Sequence, residues 1–427
     1  MPVSSTKAHS FGSPRPGSLL VPLRNGIYRR LWIAALLSNF GVWIQSVAAA
    51  WLMTSIAPTV DFVAWVQAAT SLPPLLFTVL GGVLADRFDQ RLVFLVAQMI
   101  VLTVALSLSV LDQFSLMTPW LLLGLTFALD SGSALRYPAY QTTIYDLLPR
   151  EQIASALVLS SIGWNIARAA GPGLGGLIIA TMGVQAAFAI NALCNVYIIF
   201  VLFRWRRQKA VSKVPPQGSI WAALTDGFAH VHATPTIRAA MVRCFVLTLF
   251  SAALWSLLPL VAKNLVGGGP SVYGLMLGAL GIGALGGAGC IGWMRDRLGY
   301  RRLFAISSIC LAASTLAMAT VSALIPLLII LAIGGLGWMI SMSTFNLVVQ
   351  MSAAETHRGR AISVYYIALF GGLALGSWAF GHVAEQFSVR TGLLAATLGL
   401  VASLLLYRAK SAAPHPFSEQ ADPALAE

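Results

Sequence analysis

Blocks of Leu, Ile, Val, Phe, Gly and Ala, each about twenty residues or longer, recur along nearly the whole of this 427-residue chain. A helix rises about 1.5 Å per residue, so such a block crosses ~30 Å of hydrocarbon, a length that a soluble core does not require. Inside a bilayer every backbone N–H and C=O needs a partner within the segment, which makes each block a helix. Twelve runs can be counted. In the first half they lie at roughly 31–52, 62–85, 92–111, 117–145, 153–182 and 184–203, and in the second at roughly 239–262, 272–294, 303–323, 325–349, 361–384 and 389–407. Only 10% of residues are charged and 58% are hydrophobic, against about 25% charged in soluble domains. The fold class implied is an all-α membrane protein with twelve transmembrane helices.

The formal net charge of +13 would point to nucleic acid in a soluble protein. Here the distribution of charge excludes that partner. With the amino terminus inside, the 82–92 and 292–302 loops, Arg150, the Arg204–Lys213 cluster, Arg358, Arg360, Arg408 and Lys410 all fall on the inner side, and only Lys263 and Arg390 lie in outer connections. The positive-inside rule then predicts a multi-pass protein of the inner (plasma) membrane with both termini cytoplasmic and lipid around it. Residues 1–30 read as a polar, basic tail without a signal-peptide apolar region, so the first span is expected to serve as the insertion signal. Six spans occupy 31–204 and six occupy 239–408. Between them, 205–238 is a cytoplasmic linker in which Trp221, Leu224, Phe228 and Val231 make one apolar helix face suited to the membrane surface. Residues 409–427 read as a second tail.

An echo divides the chain in two. Gly82, Asp86, Arg87 and Arg91 return 210 positions later as Gly292, Asp296, Arg297 and Arg301, and Gly171-Pro172-Gly173-Leu174-Gly175-Gly176 aligns with Gly376-Ser377-Trp378-Ala379-Phe380-Gly381 at an offset of 205. Matching features at matching places imply two pseudo-symmetric six-helix bundles, a recurrent transporter plan. One position departs: Asp89 stands where the second copy has Gly299, and an altered turn is expected there. Small residues also recur every four positions, at Gly163, Ala167, Gly171 and Gly175, at Ala279, Gly283 and Gly287, and at Ala368, Gly372 and Gly376. Such stripes let backbones approach closely. They suit a moving bundle interface at Gly171, Pro172, Gly175, Gly283, Gly287, Gly372 and Gly376, or static packing within one bundle.

The two loop motifs, the Gly-Pro-Gly segment and Arg358-Gly359-Arg360-Ala361 together resemble the major facilitator superfamily. Pro138-Ala139-Tyr140-Gln141, Leu148-Pro149-Arg150 and Trp164 to Pro172 resemble the subgroup containing the enterobactin exporter and the transmembrane secretion effectors. The resemblance covers about residues 25–408. It implies an exporter of a small organic molecule, siderophore- or drug-like, working by alternating access and proton antiport. It also implies an inside gate at Gly82, Asp86, Arg87, Arg91, Asp296, Arg297 and Arg301, with Asp146 as an acid that Arg87 or Arg91 could pair. Spans one, four, seven and ten would surround a cavity, to which Asn39, Trp43, Gln45, Trp255, Trp338, Phe345, Asn346 and Gln350 offer polar or aromatic groups, with Tyr365 and Tyr366 on span eleven.

Charges inside spans are costly and therefore mark function. Asp130 is the only acid far inside any span, with Arg136 deeper toward the cytoplasm on the same span and Arg168 at mid-depth on the next. Asp130 suits reversible protonation, or a fixed ion pair with Arg168. A P-loop is absent, the six histidines form no ligand cluster, and the four cysteines make no C-x-x-C pair. No enzyme, metal or other cofactor is therefore expected. The expected partners are a small-molecule substrate and a coupling proton, with the chain acting as a monomer. An importer of a similar solute, or a non-transporting membrane sensor, would fit the same scaffold.

Overall fold

The structure, a computed structural model, describes residues 19–87, 89–205, 229, 231–354 and 357–408, with side chains described outside 78–87, 90, 407 and 408. Within these residues the chain is helical, and no strand occurs. The first half comprises α1 (Gly26–Ile56), α2 (Asp61–Arg87), α3 (Gln90–Gln113), α4 (Pro119–Leu147), α5 (Arg150–Met182) and α6 (Val184–Arg204). The second comprises α7 (Pro235–Ser256), α8 (Pro270–Thr320), α9 (Leu324–Ser352), α10 (Arg358–Gln386) and α11 (Val389–Ser403). Past Leu257, α7 continues through Leu258–Leu260 and a π-helical turn at Val261–Leu265. Gly299, at φ +69°, breaks α8 into two limbs, so eleven labelled helices make twelve spans. The amphipathic linker helix falls outside the described residues, except for Val231, which is buried.

Helix ends follow local chemistry. Asn25 accepts the Ile27 and Tyr28 N–H groups at 3.0 and 3.1 Å to open α1. Thr118, followed by Pro119, opens α4, and Ser388 opens α11. Gly183 turns α5 into α6 at φ +86°, a conformation that favours glycine.

The two loop copies close the same turn by different means. Gly299 uses the left-handed region. Asp89 stays at φ −59° and its carboxylate accepts the Arg91 and Leu92 N–H groups at 2.8 and 3.4 Å, an N-cap for α3. The departure at Asp89 thus replaces a glycine turn with a cap and needs no positive φ. Asp89→Ala is expected to cost about 1 kcal/mol of stability and Asp89→Gly only a few tenths, measured by thermal unfolding in detergent.

Within the first half α1 packs on α5 and α6, α3 on α4 and α6, and α2 on α4; within the second, α8 packs on α9 and α11, and α7 on α10. The halves meet along two seams, α5 against α8 and α2 against α10. The glycine stripes do not form those seams. A Cβ on Gly171 would meet Trp43 and one on Gly175 would meet Ile44, both on α1 of the same half. Those on Gly283 and Gly287 would meet Ala332 and Leu336 of α9, and those on Gly372 and Gly376 would meet Thr248 and Leu249 of α7. These six glycines pack within their own bundles, contrary to a bundle-interface role. Pro172 does reach the seam, its carbonyl oxygen 2.5 Å from the Cβ place of Gly274. The glycines that bring the halves together are others: Gly176 and Gly274 face each other, Gly281 lies on Ala169, and Gly381 on Ala64.

Candidate functional site

Between the halves lies a cavity of about 780 Å³, within the usual ~300–1,000 Å³ of small-molecule sites. From the first half Trp43, Gln45, Asp130 and Arg168 line it, and from the second Trp255, Trp338, Asn346, Tyr365 and Tyr366 do so. Three anticipated residues do not. Asn39 lies outside the lining; Phe345 is fully buried and stacks on Phe304, ring centroids 4.4 Å apart, in the core of the second half; Gln350 instead donates to Asn346 Oδ1 at 2.5 Å. Phe345 and Asn346 are neighbours on one helix and so point about 100° apart, and only Asn346 faces the cavity.

Sequence reading passed over several lining groups. Gln67, Thr70, Ser71 and Pro74 all face the cavity from α2. Their spacing of three, four and seven from Gln67 is a helical face and was the available signal. Arg295, inside the second loop motif, also lines the cavity four residues before the Gly299 turn. The cavity therefore extends toward the end of the bundle that carries the loop motifs. The opposite end is closed: Lys263 Nζ donates to the Thr54 carbonyl at 2.5 Å, the Val60 N–H donates to Glu385 Oε2 at 2.5 Å, and Trp51 stacks on Tyr273 at 6.3 Å.

Asp130 and Arg168 share this cavity but do not pair. Among the described residues neither has a hydrogen-bond or ion-pair partner, and Arg168 Nη2 is a buried donor without an acceptor. The fixed ion pair is therefore not what holds Asp130 in place. Gln45 Nε2, Trp43 Nε1 and Trp255 Nε1 are likewise buried donors without acceptors. Aromatic pairs frame the space, Trp43 with Trp164 at 5.9 Å and Trp255 with Trp338 at 5.6 Å. The wall thus supplies ring faces, spare donors, two guanidinium groups and one carboxyl. Arg136 is not in this wall. Its Nη1 donates to Ser38 Oγ at 2.6 Å inside the first half, away from Asp130.

Of the gate residues, Gly82, Asp86 and Arg87 end α2, and their side chains lie outside those described. Arg91 pairs with no acid among the described residues. Its Nε and Nη2 donate to the Leu202 and Phe203 carbonyls, each at 3.0 Å, at the carboxyl end of α6, where a cation suits the helix dipole. The Arg297 guanidinium lies over the Trp293 ring at 5.0 Å. Asp296 and Arg301 sit on either side of the Gly299 break.

The sequence profile of the transmembrane secretion effectors matches residues 17–423. The chain belongs to this family of the major facilitator superfamily. The staphyloferrin A transporter of Staphylococcus aureus (strain NCTC 8325 / PS 47) is 21% identical over 351 residues, covering 82% of this chain and 87% of the relative. The multidrug efflux pump Tap of Mycolicibacterium fortuitum is 25% identical over 382 residues, 86% and 91% of the two chains. A solved mutant of the nucleoside transporter NupG superposes with a TM-score of 0.78 at 12% identity, covering 90% of this chain and 99% of the other. That likeness speaks for the fold alone. This transmembrane secretion effector is thus a multi-pass membrane transporter by family, with the cavity between its halves.

Proposed function

We propose that the protein exports a small, partly aromatic organic molecule across the inner membrane by alternating access, with Asp130 carrying the coupling proton in antiport. The observation that carries this reading is a carboxyl without a partner among the described residues, in the wall of a cavity framed by four tryptophans, between two halves that meet along glycine seams. A carboxyl without a fixed partner can exchange its proton, whereas one locked to Arg168 would resist it. The outward direction takes support from the efflux pump that aligns over 86% of the chain. With the loop motifs and termini on the cytoplasmic side, as the basic loops favour, the closed end faces out and the cavity leads inward. The chain works as a monomer, because its own two halves build the whole path, and it catalyses no chemical conversion.

The test is proton movement in everted vesicles on adding a panel of siderophores and cationic dyes. Wild type is expected to release protons from the vesicle lumen when a solute is taken up, and Asp130→Asn is expected to lose that coupling by about tenfold or more. Coupled flux that persists unchanged in Asp130→Asn would remove Asp130 from the relay.

A further inference from the structure

A hydrogen-bonded chain runs from the cavity into the first half, and every donor in it points the same way. Arg136 Nη1 donates to Ser38 Oγ at 2.6 Å, and Ser38 Oγ donates to Asn195 Oδ1 at 3.1 Å, which also accepts from Gln98 Nε2 at 2.9 Å. Asn195 Nδ2 donates to Asn191 Oδ1 at 3.0 Å, and Asn191 Nδ2 donates to Gln45 Oε1 at 2.7 Å. Ser38, Gln98, Asn191 and Asn195 are all fully buried, so this order is not exchanged with water. Gly41 of α1 makes room for it, since a Cβ there would lie 2.5 Å from Asn191 Oδ1.

The polarity is anchored twice. A guanidinium only donates, so Ser38 accepts from Arg136 and keeps its own proton free for Asn195. Independently, Asn195 Nδ2 donates to the Asn191 backbone carbonyl at 2.8 Å, which can only accept. Asn191 then has its oxygen occupied and must present its amide protons to Gln45. The Gln45 oxygen is thereby used up, and Nε2 is the group left without a partner.

We propose that Asn191, which does not touch the cavity, is a positioning residue that makes Gln45 a hydrogen-bond donor to the solute, so that the site selects solutes presenting an acceptor oxygen such as a carbonyl or carboxylate. This rests on the central cavity being the solute site, but not on the direction or coupling of transport.

The test is binding to the purified full chain in nanodiscs, read by calorimetry, with two neutral probes on one ring system. Acetonaphthone offers only an acceptor, and naphthylamine offers amine donors. Wild type is expected to favour the ketone, by about tenfold for one buried hydrogen bond. Asn191→Asp as a carboxylate leaves Gln45 nothing to accept from, so its amide turns and the preference reverses toward naphthylamine. As the acid its O–H still donates to Gln45 and the wild-type preference stays, so this variant is read across pH. Gln45→Glu as a carboxylate puts an acceptor in the same place and is expected to reverse it too. Asn191→Ala frees the amide to turn either way, and the ratio falls toward unity chiefly because naphthylamine now finds the Gln45 oxygen. A purely structural Asn191 would change stability and leave the ratio of the two affinities where it was. An unchanged ratio in folded Asn191→Ala overturns the proposal, as does a wild type that shows no preference for the ketone. Loss of coupled flux in vesicles with the binding ratios as expected would count against the transport reading and leave this one standing.

Discussion

Gly176→Leu is expected to cut solute flux by roughly 10–100-fold while the chain still folds. The Cβ place of Gly176 lies 2.5 Å from the Pro270 carbonyl oxygen and 3.0 Å from the Gly274 Cα, all backbone atoms of the opposite half. Backbone cannot swing aside as a side chain can, so a leucine there props the halves apart at the closed end. Overpacking of this kind costs about 1–3 kcal/mol, and here the cost falls on one conformational state because only that state brings the two backbones together. The opposite state gains population by the same factor, and the cycle stalls. Gly173 lies three residues away on the same helix with nothing within 4 Å of its Cβ place. Gly173→Leu should therefore transport at close to the wild-type rate. Vesicle flux measured on the two variants side by side decides the matter, and wild-type flux in Gly176→Leu would contradict it.

A glycine that packs within one half should fail differently. Gly283→Val is expected to lower stability by more than about 3 kcal/mol, enough to prevent accumulation of folded protein. The Cβ place of Gly283 overlaps the Ala332 carbonyl, and that of Gly335 overlaps the Leu280 carbonyl, so α8 and α9 interlock backbone to backbone. Both conformational states need this contact, because it belongs to one rigid bundle. No rotation of the halves relieves it. Gly286, three residues on, has no atom within 4 Å of its Cβ place, and Gly286→Val should melt near wild type. Thermal unfolding in detergent reads the difference, and equal melting of Gly283→Val and wild type would refute the interlock.

The contrast between Gly176 and Gly283 marks where sequence reading stopped. The twelve spans, the half-length echo and the charge of the loops follow from composition along the chain, which the bilayer constrains directly. A stripe of small residues says that something comes close, but a neighbouring helix of the same half and a helix of the other half satisfy it equally. The seam therefore had to come from tertiary structure, and it uses Gly274, Gly281 and Gly381 in place of Gly283 and Gly376. Asp130 and Arg168 were legible because a charge in a span is costly wherever its partner lies. That they remain unpaired depends on side-chain geometry that spacing along two helices does not carry. The polar face of α2 at Gln67, Thr70, Ser71 and Pro74 was written in the sequence at helical spacing. Arg136 shows the reverse case. Its cost is offset inside the first half, through Ser38, Asn195 and Asn191. A buried charge near a cavity is not for that reason part of its wall.

Whether the two halves separate at the closed end during each cycle is the claim on which the rest depends. The most direct measurement joins them there by a reversible bond. The Cβ place of Gly381 on α10 lies 2.7 Å from the Ala64 Cβ on α2, and a disulfide spans about 3.8 Å, so a shift of about 1 Å allows one. Ala64→Cys and Gly381→Cys would be combined in a chain whose four native cysteines, Cys194, Cys244, Cys290 and Cys310, are replaced. Oxidation is predicted to stop flux almost completely, and reduction to restore it. Full flux through the oxidised, cross-linked protein would contradict alternating access between the halves.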